Sequence, residues 1–600
     1  MARAWDGTTA RLLRQAKGAP ADAGLGLVVQ AMALGVGEVI SGSGVIQYVD
    51  SATGMPQITG RYLGQSQGRD ALGDVKGAIY LTKDDRGPSL QDRSPEVFAA
   101  LLAIGKTCRE KLREEMQAED GIIPREEAVM RVEPTALSEL LHRQVDPTAR
   151  RERIVTGIAA SPGAASGHIV LTASEAQASA ARGEPCVLVR RETTPEDIRG
   201  MPAIVAPDGR RFNAGDMITV DGTTGDVLAG EPAMVEATLD QTFRTLLDWA
   251  DDSRDIGVRA NADTPADAQT ARNFAAEGIG LCRTEHMFFE GDRLGVMREM
   301  IFAGGGNDRR AVLDRLLPMQ RNDFKELFRI MKGLPVCIRL FDPPLHEFLP
   351  SGKAGLRDLA EQLALPVNTV TDRVAALSEY NPMLGMRGVR LGIAVPEIYE
   401  MQVRAIFEAT AEMAANGNDV VPEIMIPLVS AMREVELVQA QIDAVAASVR
   451  AEKNIPFTYR LGVMVETPRA ALRAEDIAKH ADFLSFGTND LTQMTYGLSR
   501  DDAGRFMSAY VQQGVYAEDP FHTLDVEGVG ELLSIGAARG RAGRPDVVLS
   551  ICGEHGGSRT AIAFCRAQGF DYVSCSPFRV PVARLHAAQL AIADKLTGVA

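Results

Sequence analysis

Polar side chains follow several short apolar runs in the second half of the sequence. Arg283 comes directly after IGLC, Arg339 lies within VCIRL, and Arg387 lies in NPMLGMRGVRLG. A guanidinium group is a planar donor suited to a phosphoryl group or a carboxylate, although an isolated arginine is most often a surface ion-pair partner. If the fold brings these three arginines to one place in an otherwise acidic protein, the sequence predicts a site for a small anion.

Carboxylates supply a second kind of chemistry. Glu466 follows LGVMV, and Asp490 ends the turn FGTND. Paired carboxylates at neighbouring strand ends can hold a Mg²⁺ that keeps several waters and bridges to substrate oxygens, although helix caps and salt bridges use the same residues. In the same turn, Gly487 lets the backbone approach a ligand, and the amides of the turn can receive a carboxylate, although such turns also end ordinary strands.

A cysteine adds a candidate acid. Cys552 follows the apolar run VVLSI and precedes the glycine-rich segment GEHGG, which also contains His555. A thiol beside a flexible loop can deliver a proton to a carbon atom. A lone cysteine is usually core filler, and we interpret Cys282, Cys337 and Cys575 in that way. The position of Cys552 favours a functional role.

The elements that must position these residues form a regular pattern from Ile256 onward. Eight brief apolar runs alternate with helical stretches rich in Ala, Leu, Glu and Arg: IGVR, IGLC, VCIRL, IMIPL, LGVMV, FLSF, VVLSI and YVS. Strands that alternate with helices predict a parallel sheet, and eight such units predict a closed (β/α)8 TIM barrel. Side chains beyond the carboxyl ends of the strands then converge on one mouth, where we also expect Arg259, Asn261, Asp342, Glu554, Ser574 and Ser576.

The composition changes upstream of the barrel. Residues 1–118 contain strands and tight turns that end in a charged helix, and residues 119–150 are a helical linker. Residues 151–232 consist of short strands with Gly and Pro punctuation, so we expect a small β-rich domain there. Residues 233–600 then form the barrel and its entry helix. The predicted fold class is α/β.

Composition and charge exclude several classes of protein. The 600 residues are 45% hydrophobic and 24% charged, which is typical of a globular chain with more than one domain. Lys and Arg total 64 against 80 Asp and Glu, so the sequence lacks the electrostatic footprint of a nucleic-acid-binding protein. We find no apolar stretch near the N-terminus long enough for a membrane anchor. Seven cysteines without a CxxC pair fit a cytoplasmic location better than a disulfide framework.

Eight segments together resemble the pyruvate phosphate dikinase family. They span residues 250–600, the part that in this family binds phosphoenolpyruvate or pyruvate, and they occur in the family's order: GIGLCRTEHMFF, IRLFDPPLHEFLP, NPMLGMRGVRLG, EIMIPLV, GVMVETPRAAL, FLSFGTNDLTQMTYG, ICGEHGG and DYVSCSPFRVPVARL. The resemblance implies a phosphoenolpyruvate- or pyruvate-binding barrel that forms a homodimer.

The resemblance also implies a role for each candidate residue. Arg283, Arg339 and Arg387 would grip the phosphoryl group. Glu466 and Asp490 would ligate Mg²⁺. The substrate carboxylate would be oriented by the turn residues Gly487, Thr488 and Asn489. Cys552 would protonate or deprotonate the methylene carbon of the substrate.

Upstream of the barrel the resemblance is incomplete. The segment PAIVAPDGRRFN, between Met201 and Ala214, stands where the family has a loop of the type TxxGGMTSHAAVVAR with its phosphohistidine. The chain contains no histidine between His168 and His286. The N-terminal segment resembles only a fragment of the family's ATP-grasp domain, in VVQAMALG, SGSGV and SATG. We therefore expect neither ATP binding nor complete dikinase activity.

Three functional hypotheses follow. The first is a Mg²⁺-dependent transferase that acts on phosphoenolpyruvate, pyruvate or a close analogue through an enolpyruvate intermediate. Without an internal phosphohistidine, its phosphoryl acceptor would be a small second substrate or a histidine of a phosphocarrier protein. The second hypothesis is enolate chemistry that makes or breaks C–C or C–P bonds, as in a lyase or mutase. The third is a non-catalytic regulator that senses phosphoenolpyruvate or pairs with a complete dikinase.

Overall fold

A computed structural model of the chain describes most residues from 41 onward. The described ranges are 41–49, 56–66, 78–83, 87–112, 123–134, 137, 141–146, 149–157, 162–171, 176, 179, 184–189, 204–205, 210–235, 241–289, 292–350, 352–379, 381–418, 420–504 and 506–597. The chain divides into two compact units, Met1–Arg113 and Glu114–Ala600.

In its described residues, the first unit contains a small antiparallel sheet with strand order β1-β2-β3, followed by two helices. Ile79, Leu81, Leu90 and Phe98 form its buried core. The elements are β1 (Gly42–Val49), β2 (Pro56–Gly64), β3 (Ile79–Tyr80), α1 (Leu90–Arg93) and α2 (Pro95–Leu112). The segments VVQAMALG and SATG, which carry part of the ATP-grasp resemblance, lie outside the described residues.

The second unit begins with mostly β structure. Its largest sheet there has five strands in the order β5-β11-β10-β6-β7, β12 pairs with β4, and β8 pairs with β9. The elements are α3 (Arg125–Arg131), β4 (Gln144–Val145), β5 (Arg153–Thr156), β6 (Ala164–Val170), β7 (Cys186–Leu188), β8 (Ile204–Val205), β9 (Arg211–Phe212), β10 (Met217–Asp221), β11 (Asp226–Ala229) and β12 (Met234–Val235). Half of the segment in which we expect the phosphohistidine loop to be lost, residues 202–203 and 206–209, lies outside the described residues.

Eight parallel strands then close into a barrel, which confirms the predicted fold class. Each strand pairs with the next, and the last pairs with the first through Gly257 opposite Tyr572. The strands are β13 (Gly257–Asn261), β14 (Ile279–Arg283), β15 (Val336–Arg339), β16 (Pro422–Ile426), β17 (Arg460–Val465), β18 (Phe483–Gly487), β19 (Val548–Cys552) and β20 (Tyr572–Cys575). The eight apolar runs of the sequence are thus the eight barrel strands.

Helices connect the strands, and their starts use ordinary capping chemistry. Thr264 forms a capping box with Asp267 at the start of the helix that follows β13. The helices are α4 (Gln241–Ser253), α5 (Pro265–Asn273), α6 (Arg293–Phe302), α7 (Gly306–Ile330), α8 (Lys353–Leu363), α9 (Val367–Leu377), α10 (Gly388–Ala394), α11 (Pro396–Ala415), α12 (Met432–Lys453), α13 (Pro468–Leu472), α14 (Ala474–Ala478), α15 (Thr488–Tyr496), α16 (Arg500–Ala503), α17 (Met507–Gln512), α18 (Val529–Gly543), α19 (Arg559–Ala567) and α20 (Val580–Thr597). Among the described residues, none of these helices is long and apolar enough to cross a membrane.

The barrel interior is a packed core and not a pore. Side chains that point inward form a small cluster: Leu281, Cys337, Met425, Met464, Phe483 and Cys552. Gly462 makes room for this cluster, because a Cβ atom there would lie 2.3 Å from the Phe483 ring. Because these side chains fill the interior, no channel runs through the barrel. Their upper surface forms the floor of a site at the carboxyl ends of the strands.

Candidate functional site

The carboxyl ends of the barrel strands surround a cavity of about 220 Å³. All nine residues that the sequence singled out for chemistry line this cavity. Its lining is Leu281, Arg283, Glu285, Arg339, Asp342, Arg387, Met464, Glu466, Gly487, Thr488, Asn489, Asp490, Cys552 and Gly553. The residues therefore share one small space although they are spread over 270 positions of the sequence.

Most of these residues meet at the cavity because they lie at or just beyond the carboxyl ends of neighbouring barrel strands. Arg283, Arg339 and Cys552 are the last residues of β14, β15 and β19. Arg387 reaches the cavity from a loop, as the residue that precedes α10. The next residue, Gly388, has φ 56°, and a Cβ atom there would lie 2.7 Å from the Leu428 side chain. A glycine is therefore needed for the backbone to turn Arg387 into the mouth.

Three carboxylates meet on one side of the cavity. Asp342, Glu466 and Asp490 each offer an oxygen, and these oxygens all lie within 4.8 Å of one another. Glu466 is 2% exposed, and burial together with the charges of Asp490 and Asp342 raises its pKa well above the usual value. Like charges at this spacing repel each other, and hard cations prefer carboxylate oxygens as ligands. The donor set therefore fits a divalent cation such as Mg²⁺.

Two of the arginines are bonded to these same acids. Arg387 lies 2.5 Å from Asp342 and 2.9 Å from Asp490, and Arg339 lies 3.1 Å from Asp342 and also contacts Glu285. Burial opposes the charged form of both guanidinium groups, but the neighbouring carboxylates raise the pKa of each. Burial likewise opposes ionisation of Asp342, but Arg339 and Arg387 lower its pKa. The cavity thus holds fixed positive charge next to fixed negative charge.

Arg283 has a support of its own. The Asp263 carboxylate accepts a hydrogen bond from the Arg283 backbone N–H at 2.7 Å and lies 3.3 Å from Nη1 of the same residue. His286 bonds to the same carboxylate through Nδ1 at 2.9 Å. Although burial opposes it, the hydrogen bond from His286 and the charge of Arg283 lower the pKa of Asp263. Asp263 therefore fixes the direction in which Arg283 leaves its strand.

Cys552 lies at the floor of the cavity. The side chain is 1% exposed, and Sγ donates to the Phe486 carbonyl oxygen at 3.6 Å. Burial raises the pKa of the Cys552 thiol to about 11. The thiol is therefore protonated near neutral pH, which is the state that a proton donor requires. Next to it, Thr488 donates to the Cys552 carbonyl oxygen at 3.2 Å and contacts Nδ1 of the buried His555 at 2.9 Å.

Some residues that we expected at the mouth lie elsewhere. Arg259 does not line the cavity: it bonds to Glu423 at 2.6 Å inside the barrel and stacks on Tyr572. It is the third residue of a five-residue strand, so its side chain leaves the barrel wall below the strand end. Ser574 is buried and donates to Asn261, and Ser576 is exposed; none of these three lines the cavity. The Glu554 side chain is outside the described residues.

Other residues of the site escaped the sequence reasoning. Glu285 lines the cavity and contacts Arg339, and Asp263 supports Arg283. The sequence predicted Asp342 at the mouth. It did not predict that Asp342 would lie beside Glu466 and Asp490 as a third carboxylate. The segment RTE, which joins Arg283 to Glu285, is the one signal that could have indicated Glu285.

Comparison with known proteins shows the family of this chain. The sequence model of one protein family, described as "PEP-utilising enzyme, PEP-binding domain", matches residues 237–592. This match covers more than half of the chain. The chain therefore belongs to the PEP-utilising enzymes, within the pyruvate, phosphate dikinase family.

Similar curated proteins support the same assignment at the level of the whole chain. Pyruvate, phosphate dikinase of Rhizobium meliloti (strain 1021) is 45% identical over 98% of this chain and 74% of its own length. Pyruvate, phosphate dikinase 1, chloroplastic, of Arabidopsis thaliana is 41% identical over 98% of this chain and 68% of its own length. The Clostridium symbiosum dikinase is 39% identical over 99% of this chain and 76% of its own length.

Proposed function

We propose that this chain is a Mg²⁺-dependent transferase that moves a phosphoryl group to or from phosphoenolpyruvate through an enolpyruvate intermediate. The observation that carries this proposal is the single cavity lined by Arg283, Arg339, Arg387, Glu466 and Cys552 together with the turn 487–490. The cavity has the size for a small anion, and its charges match a phosphate and a carboxylate joined by three carbons.

Each group has a role that its surroundings favour. The three guanidinium groups hold the phosphoryl oxygens and stabilise the charge that develops during transfer. The backbone of Gly487 and Thr488 and the side chain of Asn489 orient the substrate carboxylate. Glu466 and Asp490, joined by Asp342, would hold Mg²⁺. A bound Mg²⁺ would supply positive charge beside the enolate and phosphoryl oxygens.

Cys552 handles the proton at carbon. As the bond between phosphorus and the enol oxygen breaks, the electron pair stays on that oxygen and the phosphoryl group passes to the acceptor. The Cys552 thiol then gives its proton to the methylene carbon, which yields pyruvate and leaves a thiolate. In the reverse direction the thiolate takes a methyl proton from pyruvate. The raised pKa keeps the thiol protonated before the transfer, and it makes the thiolate a stronger base for the reverse direction.

We propose that the phosphoryl acceptor comes from outside the chain. The chain has no histidine between His168 and His286, so residues 151–232 would be a phosphohistidine-domain remnant without its histidine. The match with the Rhizobium meliloti dikinase extends over 667 residues and this chain has 600, so segments of that relative have no counterpart here. A small second substrate or a histidine of a phosphocarrier protein would then receive the phosphoryl group, and complete ATP-dependent dikinase activity would be absent.

The family resemblance further supports two proposals about the protein in the cell. One is a homodimer formed through the barrel, and the other is a cytoplasmic location. Sedimentation of the purified chain tests the first: a single species of twice the chain mass is expected, and a monomer at micromolar concentration contradicts it.

Proton exchange tests the catalytic proposal without knowledge of the acceptor. The full chain is incubated with pyruvate and Mg²⁺ in deuterium oxide, and the methyl signal is followed by proton NMR. We expect the signal to decline with time, and to persist when Mg²⁺ is removed by a chelator. A methyl signal that persists in both samples, together with no binding of phosphoenolpyruvate, contradicts the proposal.

Product analysis then separates the alternatives. Phosphorus NMR with phosphoenolpyruvate and Mg²⁺ should show loss of the substrate signal only when an acceptor is present. A new C–P or C–C product would favour a lyase or mutase. Binding of phosphoenolpyruvate without any proton exchange would favour a regulator.

A further inference from the structure

A buried amide links the two strand ends that carry most of the cavity charge. Gln402 lies in α11, packed behind the barrel, and its side chain is 0% exposed. Its Oε1 accepts a hydrogen bond from the Phe341 backbone N–H at 2.8 Å. Its Nε2 donates to Thr284 Oγ1 at 3.0 Å. One side chain therefore contacts both the segment after β14 and the segment after β15.

The hydrogen bond from Gln402 to Thr284 is extended by a second bond that links the end of β14 to the end of β15. Thr284 is 0% exposed, and its hydroxyl donates to the Arg339 carbonyl oxygen at 3.0 Å. Tyr399, one helical turn before Gln402, donates from its hydroxyl to the Phe341 carbonyl oxygen at 3.0 Å. Both the N–H and the C=O of Phe341 are thus bonded to side chains of α11.

Thr284 and Phe341, which take part in these bonds, are direct neighbours of cavity residues in the sequence. Thr284 lies between Arg283 and Glu285, and Phe341 directly precedes Asp342. Rotation of either segment would move a guanidinium and a carboxylate together. Beyond Arg339 and Arg283 the ladder between β14 and β15 has ended, so these side-chain bonds replace the regular sheet.

We infer that Gln402, with Thr284, is a positioning residue that sets the spacing of Arg283 and Arg339 around the phosphoryl group. The inference rests on the proposed function for its catalytic consequence but not for its structural one. Gln402 is not among the residues that line the cavity. It acts through the Thr284 side chain after β14 and through the Phe341 backbone after β15.

The structural half is tested on the free protein by amide hydrogen exchange. Gln402→Met is close to isosteric and removes the acceptor of the Phe341 N–H. We expect the Phe341 amide to exchange at least about tenfold faster in this variant, while amides in β17 and β18 keep their protection. An unchanged Phe341 amide overturns the inference. A uniform loss of protection over the whole barrel also overturns it, because Gln402 would then serve global stability.

The catalytic half is tested by proton exchange of pyruvate and by phosphoenolpyruvate binding. Misplacement by about 1 Å can lower a rate by about 100-fold, so we expect Gln402→Met to lower the exchange rate by about 10- to 100-fold and to raise KM. Thr284→Val should have a similar effect, and the conservative Thr284→Ser should retain the wild-type rate because it keeps the hydroxyl. A variant with merely less folded protein would lose rate with KM unchanged.

A double variant and a matched control complete the design. Gln402→Met and Thr284→Val each break the same series of bonds that runs from Phe341 through Gln402 and Thr284 to Arg339, so the double variant should be no more than about threefold slower than either single one. Thr410→Val is the control, since Thr410 is equally buried in α11 and its hydroxyl donates to the Ile406 carbonyl oxygen within the same helix. Loss of rate in the control, or multiplication of the two single effects, overturns the inference. A wild-type chain without proton exchange refutes the proposed function, and the Phe341 amide still decides the positioning role.

Discussion

Two regions of the barrel bury an arginine against carboxylates, and they differ in what surrounds the pair. At the mouth, Arg387 is bonded to Asp342 and Asp490 and lines a cavity. Deeper in the barrel, Arg259 is bonded to Glu423 and covered by the Tyr572 ring, 3.9 Å from its guanidinium carbon. Both arginine side chains are 12% exposed. Burial and ion pairing therefore do not distinguish a site from a structural pair.

The difference lies in the balance of charge and in open space. Around Arg259, the inward-facing neighbours fill the barrel, and Glu423 is shared with Arg460. At the mouth, three carboxylates lie within 4.8 Å of one another and three guanidinium groups face the same cavity. Three carboxylates this close repel one another, and a cation bound in the open space beside them would relieve that repulsion. The comparison predicts different results for matched substitutions in the two regions.

Substitution of the arginines should give the largest difference. Arg387→Met removes a donor of the phosphoryl site, so phosphoenolpyruvate binding should weaken by at least about 100-fold, the cost of a strong charge-assisted contact. Arg259→Met breaks a buried pair and should lower stability by about 3–5 kcal/mol with binding retained. Calorimetric titration and thermal unfolding measure the two effects. Equal loss of binding in both variants would remove the distinction between the regions.

The two cysteines provide the next comparison. Cys552 and Cys337 belong to the same interior cluster and both are buried, but only Cys552 lines the cavity. Cys552→Ala should reduce proton exchange of pyruvate by about 100-fold or more, the contribution of a positioned acid or base. Cys337→Ala should stay within a few-fold of the wild type. Full exchange activity in Cys552→Ala would exclude the thiol as the acid.

The acidic residues give a smaller effect that concerns the metal. Glu466 is 2% exposed and Glu423 is 3% exposed. Glu466→Gln should weaken Mg²⁺ binding by about 10- to 100-fold, since it removes an anionic ligand. Glu423→Gln should leave Mg²⁺ binding unchanged. Manganese titration followed by electron paramagnetic resonance measures the free ion, and identical titrations for the two variants would contradict the proposed metal site.

The reactivity of the Cys552 thiol should also depend on pH. Because burial raises the pKa of Cys552 to about 11, the thiolate is scarce at pH 8 and should increase about tenfold per pH unit up to pH 10. Alkylation of Cys552 by iodoacetamide, followed by mass spectrometry of its peptide, should show this slope. A rate that levels off below pH 9 would mean that the thiol ionises far more easily than its surroundings indicate.

Much of this arrangement was predictable from the sequence, and the exceptions have physical reasons. Apolar runs that alternate with helices predicted all eight barrel strands, and residues at strand ends such as Arg283 and Cys552 followed from the barrel geometry. The prediction that Arg259 lies at the mouth was wrong, because the apolar run IGVR does not show that the strand continues to Asn261. Gln402 carries no signal, since a glutamine in a helix is usually solvated and only packing against β14 and β15 gives it a role. The contacts that give Gln402 this role are therefore seen only in the three-dimensional structure.

Binding of phosphoenolpyruvate with and without Mg²⁺ tests the central claim most directly. The claim is that the cavity at the carboxyl end of the barrel holds phosphoenolpyruvate between guanidinium groups and a cation. Calorimetry of the full chain should show binding that is at least about tenfold tighter with Mg²⁺, and that is lost in Arg339→Met. Absence of binding under both conditions, or equal binding by Arg339→Met, would contradict the claim.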